Sequence, residues 1–341
     1  MGGAGEHYVI IGNGVAGNRA AEVLRDGDPE ARVTIVSDES QPFYYRHLLR
    51  DLVTGAVGED RLGVRPLSWW SDRRIRLRLG QRVQRIDFGA KTIYLAHREK
   101  LGYTRLVVCA GSKPRVPETL WASRAHLTVM KTIEDARALR DRFGDVRHVL
   151  IAGGDMVSVR TAAAFLLAGR KVTFLVDRDA FWPIEPGPEQ RAELAAALRS
   201  RGAEVIEDDA VVAVEPVGDA RVVALKSGRT VRCDVAGAFF GLVPDIDFLA
   251  GSGLDLERGV LVDEHLRTSV EGVWAAGDCA QVYNPDLRNW WVSVGWGNAE
   301  RLGEVAARNV LGDAVRATGP AESVLRCDGV VVATRWWVDL P

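Results

Sequence analysis

A glycine-rich turn between a strand and a helix is the strongest constraint on the fold of this chain. Residues 8–11 (Tyr-Val-Ile-Ile) form a continuous apolar run, as expected for a central parallel strand that is buried on both faces. Gly12, Gly14 and Gly17 follow in the spacing Gly-x-Gly-x-x-Gly, and apolar residues then recur at helical spacing. The glycines allow a tight turn, close approach of a diphosphate and close packing of helix on strand. The unpaired N–H groups at the start of the helix bind the phosphates.

An acidic residue after the next strand completes this motif. Residues 33–36 (Val-Thr-Ile-Val) predict the second strand, and Asp38 and Glu39 follow it. An acid about 20 residues past the turn accepts hydrogen bonds from the hydroxyl groups of an adenosine ribose. The segment therefore predicts a dinucleotide site, and these residues alone leave NAD and FAD both open.

The middle of the chain repeats the same pattern. Residues 146–151 predict a strand, residues 153–158 a turn, residues 161–168 a helix and residues 172–176 another strand. Strands that alternate with helices indicate a parallel α/β architecture. The 341 residues are enough for two such domains.

Composition excludes several classes of partner. The net charge is −2 and no block of Lys and Arg stands out, so the sequence predicts no nucleic-acid partner. No apolar run reaches the roughly 18 residues of a membrane span. Residues 1–7 lack the features of a signal peptide, so a cytoplasmic location is expected.

Cysteine and histidine spacing points to no metal site and no redox dithiol. The four cysteines are dispersed, with no CxxC pair, and the six histidines form no HxH or HxxxH pair. We therefore predict buried or half-buried thiols at Cys109, Cys233, Cys279 and Cys327.

A second motif near the C terminus distinguishes between the two dinucleotides. Thr268 is followed by four spacer residues, an apolar strand and the pair Gly277-Asp278. This segment resembles the second FAD-binding sequence of the pyridine nucleotide–disulfide oxidoreductase superfamily. In that family the aspartate, here Asp278, accepts a hydrogen bond from the ribityl chain of the flavin. The resemblance thus implies FAD as the cofactor.

The resemblance extends over residues 7–312. Cys109-Ala110-Gly111 is similar to the family's Ala-Thr-Gly, and Gly241-x-x-Pro244 to its return turn. Asn298-Ala299 is similar to the start of the helix that faces the flavin, with Leu302 in place of the usual glutamine. The nearest likeness is to the rubredoxin- or ferredoxin-reductase-like and nitrite-reductase-like branch. The first helix lacks the CxxxxC dithiol of other members.

The implied fold is α/β, with two interleaved Rossmann-like, three-layer dinucleotide-binding domains as in glutathione reductase. Residues 1–115 and 246–316 are predicted to form a discontinuous FAD-binding domain. Residues 116–245 are predicted to form an NAD(P)-binding-like domain that is degenerate in its turn. Residues 317–341 form a short tail where relatives carry a full dimerisation domain, which leaves the oligomeric state open.

The implied cofactor contacts come from both glycine motifs and from the segments between them. The predicted FAD-binding residues are Gly12, Asn13, Gly14, Val15, Ala16, Gly17, Asp38, Glu39, Arg46, Val83, Ala110, Gly111, Gly277, Asp278, Asn298 and Ala299.

Residues 42–50 are expected to cross the flavin as they do in relatives. Arg46 would then stabilise the reduced, anionic flavin, and His47 would serve as a proton donor. The alternative is a solvated loop with no catalytic role.

The second nucleotide site departs from the family pattern. Asp155 replaces a glycine and brings a negative charge to the place where the diphosphate approaches, and Ser158 replaces the last glycine. Arg160 stands where the family has a glutamate near the nicotinamide. The candidate residues for this nucleotide or for another substrate are Gly153, Gly154, Asp155, Ser158, Arg160 and Asp177.

Tryptophans cluster before the predicted flavin-facing helix. Trp290, Trp291 and Trp296 are predicted either to wall a substrate pocket or docking surface, or to pack in the core against the C-terminal tail. Residues 330–332 (Val-Val-Val) predict a strand or hairpin in that tail, which also contains Trp336 and Trp337.

These features predict an FAD-dependent oxidoreductase. The resemblance implies transfer of electrons from NAD(P)H, through N5 of the flavin, to a small molecule or a redox protein. One alternative keeps FAD but not NAD(P)H, with the middle domain serving another substrate or a partner protein. Another alternative is a non-catalytic scaffold that binds flavin.

Overall fold

The computed structural model describes residues 5–176, 187–286, 288–292, 295–317, 319, 324–327 and 329–333. Within these residues two parallel sheets dominate the architecture, which confirms the predicted α/β class. Asp177, Trp336 and Trp337 lie outside the described residues.

The described residues contain 22 strands and seven α-helices, joined in places by short 3₁₀ segments. The strands are β1 (His7–Ile11), β2 (Arg32–Val36), β3 (Ile75–Arg78), β4 (Val83–Asp87), β5 (Thr92–Leu95), β6 (Lys100–Gly102), β7 (Arg105–Val108), β8 (Ser112–Pro114), β9 (His148–Gly153), β10 (Lys171–Val176), β11 (Glu204–Ile206), β12 (Val211–Val217), β13 (Ala220–Leu225), β14 (Thr230–Cys233), β15 (Val235–Phe239), β16 (Leu242–Pro244), β17 (Val260–Val262), β18 (Val273–Ala275), β19 (Ala280–Asn284), β20 (Asn289–Val292), β21 (Val324–Cys327) and β22 (Val330–Ala333). The helices are α1 (Val15–Gly27), α2 (Leu49–Thr54), α3 (Ser68–Asp72), α4 (Ile133–Phe143), α5 (Met156–Leu167), α6 (Pro188–Ser200) and α7 (Trp296–Val310).

The first sheet has the strand order β18-β7-β1-β2-β3, and all of its strands are parallel. Ile10 of β1 lies between Ile35 of β2 and Val107 of β7 in the register. All five residues of β1 are buried, as the continuous apolar run predicts. Because β18 comes from late in the chain, the first and last parts of the sequence share this one sheet.

The second sheet has the order β11-β10-β9-β15 and is also parallel. Alternate residues of β9 enter different apolar clusters. Val149 and Ile151 join the cluster that contains α4, α5 and α6, while Leu150 and Ala152 join the one that contains β12–β14. This period-two alternation places helices on one face of the sheet and an antiparallel meander on the other.

Two short strands carry the chain between the sheets. β8 leaves the first sheet and β16 returns from the second, and they pair in antiparallel fashion with Ser112 opposite Pro244. The segments that follow Cys109-Ala110-Gly111 and Gly241 therefore lie side by side. Earlier in the chain, Glu59 accepts hydrogen bonds from Arg137 and Arg140 of α4, which ties the loop after α2 to α4.

The described part of the tail lies against the middle of the chain. β21 and β22 form an antiparallel hairpin, as predicted. Val330 and Val332 join the apolar cluster of α5 and α6, and the Val331 carbonyl accepts a hydrogen bond from Gln190 of α6. Val330 and Val332 thus belong to a different apolar cluster from Trp291, and the predicted packing of the tryptophans against the rest of the tail stays a prediction. Among the described helices, none has both the length and the apolar character needed to cross a membrane.

Helices α1 and α7 lie in close contact over the first sheet. Helix α7 turns an apolar stripe inward, with Leu302, Val305 and Ala306 all buried. Gly303 is the point of closest approach: a Cβ there would lie 2.3 Å from the Ala16 carbonyl oxygen. Since the obstacle is backbone, a side chain at this position forces the helices apart.

We expect Gly303→Ala to lower the free energy of unfolding by about 1–3 kcal/mol, because a methyl group must displace the backbone of α1. Gly297→Ala, in the first turn of the same helix, is the matched control, since its Cβ would meet no heavy atom within 4 Å. The measurement is a pair of denaturant unfolding curves. Equal stability of the two variants would contradict the close-packing argument.

Candidate functional site

The turn after β1 leaves the N terminus of α1 open. Gly12 has φ +113°, and a Cβ there would lie 2.0 Å from the Cys109 carbonyl oxygen. A Cβ on Gly17 would lie 2.0 Å from the Gly12 carbonyl oxygen, so both positions accept only glycine. Gly14 is the N-cap of α1, has no side-chain cap, and faces open space. The first N–H groups of α1, which begins at Val15, are therefore free to bind an anion.

A cavity runs along the carboxyl ends of the first sheet. Four of its eleven lining residues are predicted FAD-binding positions, namely Gly12, Asp38, Val83 and Ala110, and Phe248 lines it from the returning chain. An extended dinucleotide requires such a groove beside an uncapped helix N terminus, so the residues present fit FAD.

The predicted ribose acid belongs to a hydrogen-bonded cluster. The carboxylate of Glu39 accepts hydrogen bonds from the Tyr44 hydroxyl (2.6 Å) and from the Arg46 guanidinium. Arg46 also donates to the Tyr44 hydroxyl (2.7 Å) and to the Lys131 carbonyl oxygen (3.0 Å). A second, smaller cavity is lined by the residues of this cluster together with Asn13. The structure therefore places Arg46 next to the ribose acid, half-buried and paired, and not in a solvated loop.

Asp278 lies at the end of a second hydrogen-bonded chain. Its carboxylate accepts a hydrogen bond from the Ser112 hydroxyl (2.7 Å), which in turn is 2.9 Å from the ammonium of Lys131. Burial lowers the pKa of Lys131 to about 8, while the charge of Asp278 opposes that shift. The sequence analysis did not include Lys131. Its one local signal is its position directly before the capping box that starts α4, formed by Thr132 and Asp135.

The remaining predicted FAD positions surround the start of α7. Gly277 has φ +78°, and a Cβ there would lie 2.9 Å from the Cβ of Ala16. Asn298 and Ala299 are both buried in the first turn of α7. Gly111, with φ +76°, ends the turn after β7. The structure thus brings the late Gly-Asp motif into contact with the first helix.

An aromatic stack covers the segment predicted to cross the flavin. Trp296 lies between Phe43 (5.3 Å between ring centroids) and Tyr45 (5.4 Å), and both pairs are nearly parallel. His47 lies against Tyr45 at 5.3 Å. Burial, together with the charges of Arg50 and Arg160, lowers the pKa of His47. A lowered pKa does not favour the predicted role of His47 as a proton donor.

The other two tryptophans lie on β20. Trp291 is fully buried in the core of the first sheet, whereas Trp290 packs against Tyr283 at 5.2 Å. Trp296 is 37% exposed. Core packing thus describes Trp291, whereas Trp290 is half-buried and Trp296 is the most exposed of the three.

The second nucleotide turn differs from the first at its N-cap. Gly153 ends β9, and Asp155 caps α5 by accepting a hydrogen bond from the Ser158 N–H (2.7 Å). Asp155 and Ser158 are both buried, so the carboxylate is folded back onto the helix and does not extend into solvent. Arg160 is exposed on the first turn of α5. Asp177 falls outside the described residues, so its predicted ribose contact stays a prediction.

Comparison with known proteins agrees with this geometry. Residues 6–297 match the family described as pyridine nucleotide-disulphide oxidoreductase. The ferredoxin–NAD(+) reductase component of the anthranilate 1,2-dioxygenase system of Burkholderia cepacia is 31% identical over 307 residues, which are 89% of this chain and 75% of that protein. The rubredoxin–NAD(+) reductase of Pseudomonas putida is 25% identical over 278 residues, which are 81% of this chain and 72% of that protein.

A solved structure shows the same fold. The covalent putidaredoxin reductase–putidaredoxin complex superposes with a TM-score of 0.85 at 23% identity, over 95% of this chain and 79% of the matched chain. The family match covers both glycine turns and the Gly277-Asp278 motif. The chain therefore belongs to the pyridine nucleotide-disulphide oxidoreductase family, as the sequence resemblance implied, and is an FAD-dependent oxidoreductase.

Proposed function

We propose that this chain is a reductase that passes electrons from NAD(P)H, through bound FAD, to a small iron–sulfur or rubredoxin-type protein. The observation that carries the proposal is the uncapped N terminus of α1, which closely follows a groove lined by Gly12, Val83 and Ala110. The names of the relatives, a ferredoxin reductase and a rubredoxin reductase, support NADH as donor and a redox protein as acceptor.

The residues of this chain would hold FAD by complementary charge and backbone donors. The free N–H groups after Gly14 would bind the diphosphate, and Glu39 the adenosine ribose, as its position after β2 predicts. Asp278 would accept from the ribityl chain, with Ser112 holding its carboxylate in place. Bound FAD supplies the redox chemistry, by accepting hydride at N5 and releasing electrons to a one-electron acceptor.

Lys131 and Arg46 would supply the positive charge that an anionic cofactor needs. Both lie beside Glu39 and Asp278, and the lysine ammonium is buried. Burial disfavours the charged form of Lys131, and the nearby carboxylates of Asp278 and Glu39 offset only part of that effect, as the lowered pKa shows. The negative charge of a bound diphosphate would stabilise the ammonium further. We therefore assign Lys131 to the cofactor site together with the predicted residues.

The accessible face of Trp296 supports a protein acceptor. Its indole is stacked on Phe43 and Tyr45, which start the segment expected to cross the flavin. An exposed aromatic group in that place supplies rigid contact area for a partner. A cytoplasmic location is part of the proposal, and the buried free thiols of Cys109, Cys233 and Cys279 are compatible with a reducing compartment.

One observation favours a second candidate function, an FAD protein that does not use NAD(P)H. Asp155 already caps α5, and Arg160 reverses the charge that relatives place near the nicotinamide. The middle domain would then serve another substrate or a partner protein.

We expect Lys131→Met to weaken FAD binding roughly 10- to 100-fold, because a charge-assisted contact contributes about 1.5–3 kcal/mol. The pKa of Lys131 is lowered to about 8, so its ammonium is present below that pH and is lost above it. FAD affinity of the wild-type protein should therefore fall as the pH rises through 8, and this dependence should be absent in the variant. Flavin fluorescence during titration of apoprotein measures both effects.

The matched control is Lys226→Met, since Lys226 is exposed in the turn between β13 and β14. It should bind FAD as the wild-type protein does. If Lys131→Met bound FAD as tightly as this control at every pH, Lys131 would have no part in the cofactor site.

We expect anaerobic addition of NADH or NADPH to bleach the visible absorbance of the flavin within the dead time of hand mixing. Subsequent addition of a [2Fe–2S] ferredoxin, and in a separate experiment a rubredoxin, should restore it. Trp296→Ala should slow this second step without changing the bleaching, since Trp296 is the exposed member of the aromatic stack.

Three results would distinguish the candidates. Bleaching by dithionite but by neither nicotinamide would exclude the proposed donor and favour the second candidate function. Bleaching by NADH followed by no transfer to either protein would exclude the proposed acceptors. A protein that purifies without colour and takes up no added FAD would exclude the cofactor itself.

A further inference from the structure

The two nucleotide turns of this chain share one backbone design. Each strand ends at a glycine that lies against the carbonyl oxygen of the neighbouring parallel strand. A Cβ on Gly12 would lie 2.0 Å from the Cys109 oxygen, and a Cβ on Gly153 would lie 2.3 Å from the Phe239 oxygen. Both contacts are with backbone, so neither turn tolerates another residue. The second turn therefore keeps the close approach between neighbouring strands that the first nucleotide turn has.

The two turns differ in what occupies the start of the helix. Gly14 leaves the N terminus of α1 without a side-chain cap. At α5 the Asp155 carboxylate accepts the Ser158 N–H at 2.7 Å, and the Ser158 hydroxyl donates to the Asp155 carbonyl oxygen at 2.7 Å. These first-turn N–H groups are the donors that an anionic ligand uses at a helix N terminus. An internal anion therefore already occupies them.

The carboxyl group of Asp155 is in a dry environment. Only 5% of the residue is exposed, and Ser158 is fully buried. Burial raises the pKa of Asp155 to about 7, and the hydrogen bonds from Ser158 and Val157 oppose that rise.

Within the described residues, no charged side chain contributes to this shift. The charge of Arg160 acts on Arg50, and both act on His47 instead. The ionisable residues on α5 and on the described elements packed against it are Arg160 of α5 itself, Arg50 and Asp51 of α2, His148 of β9, Lys171 of β10, Glu189, Arg191, Glu193 and Arg199 of α6, and Arg326 and Cys327 of β21. The charge state of Asp155 thus depends on burial and on its own helix cap.

We propose that the Asp155 carboxylate competes with the diphosphate of the nicotinamide dinucleotide for the N terminus of α5, and that its charge sets the affinity of the second nucleotide site. The inference rests on the proposed function, because it takes a dinucleotide diphosphate as the ligand of this turn. Charged Asp155 repels the diphosphate, and it occupies the backbone N–H donors that the diphosphate needs. Neutral Asp155 removes the repulsion, and its O–H group can donate to a phosphate oxygen.

The direction of the pH dependence follows from the raised pKa. One unit below a pKa of about 7 the carboxyl group is mostly neutral, and one unit above it is mostly charged. If the neutral form alone accepts the ligand, the apparent dissociation constant increases roughly tenfold over that interval. NAD(P)H use should therefore weaken as the pH rises.

The test measures binding of NAD⁺ to the oxidised, FAD-loaded protein by isothermal titration calorimetry across those two pH units. The wild-type dissociation constant should increase roughly tenfold. Asp155→Asn keeps a hydrogen-bond acceptor at the N-cap and removes the charge, so its affinity should not vary with pH and should exceed that of the wild type at the upper pH. Asp155→Gly, which copies Gly14, should shift affinity in the same direction.

The matched control is Asp234→Asn. Asp234 also accepts backbone N–H groups, from Arg147 and His148, but it lies at the opposite end of β9. This variant should keep the wild-type pH profile. A thermal unfolding curve shows whether each variant is folded. If Asp155→Asn does not fold, the pH profile of the wild-type protein and the affinity of Asp155→Gly still test the proposal.

Failure of this inference is distinguishable from failure of the proposed function. If NADH reduces the flavin while NAD⁺ affinity is independent of pH and equal in the wild type and the Asp155 variants, the role of Asp155 is refuted and the proposed function stands. If no nicotinamide binds to any variant or reduces its flavin at any pH, both are refuted.

Discussion

The chemistry of this molecule depends on the free N–H groups at the start of a helix that follows a parallel strand. Such a terminus is a fixed partial positive charge, and it must meet an anion, a side chain or water. At α1 the N-cap is Gly14 and the terminus is left for a ligand; at α5 the N-cap is Asp155 and the chain supplies its own anion. The parallel sheets, the glycines and the crossover strands hold these two termini in place.

Much of this arrangement could be predicted because its causes are local. A strand buried on both faces must be apolar throughout, so residues 8–11 and 172–176 are recognisable as strands. At Gly12 and at Gly17 an added Cβ would lie 2.0 Å from a backbone carbonyl oxygen. Neither glycine can be replaced, and this is why the Gly-x-Gly-x-x-Gly spacing predicts the turn so strongly. The Gly277-Asp278 motif is similarly constrained by its contact with Ala16.

Other features depend on contacts between distant segments, and no local pattern reports them. The chain from Asp278 through Ser112 to Lys131 joins residues separated by as much as 166 positions. The pairing of Arg46 with Glu39 and the packing of Val332 near α5 and α6 arise only when both sheets are assembled. The sequence indicated that Asp155 brings a negative charge to the turn. It did not indicate that the carboxylate folds back to accept the Ser158 N–H, because that contact is set by the geometry of the helix start.

The contrast between the two helix termini matches what each site must do. A resident cofactor fills its site throughout turnover, so the donors at α1 need no other partner. In the proposed function a nicotinamide substrate enters and leaves in every cycle, and each departure would leave the buried N–H of Ser158 without an acceptor, at a cost of about 1–3 kcal/mol. The carboxylate of Asp155 satisfies that group in the ligand-free state. An internal cap would therefore stabilise the empty site and weaken the filled one, and both effects would favour release of the product.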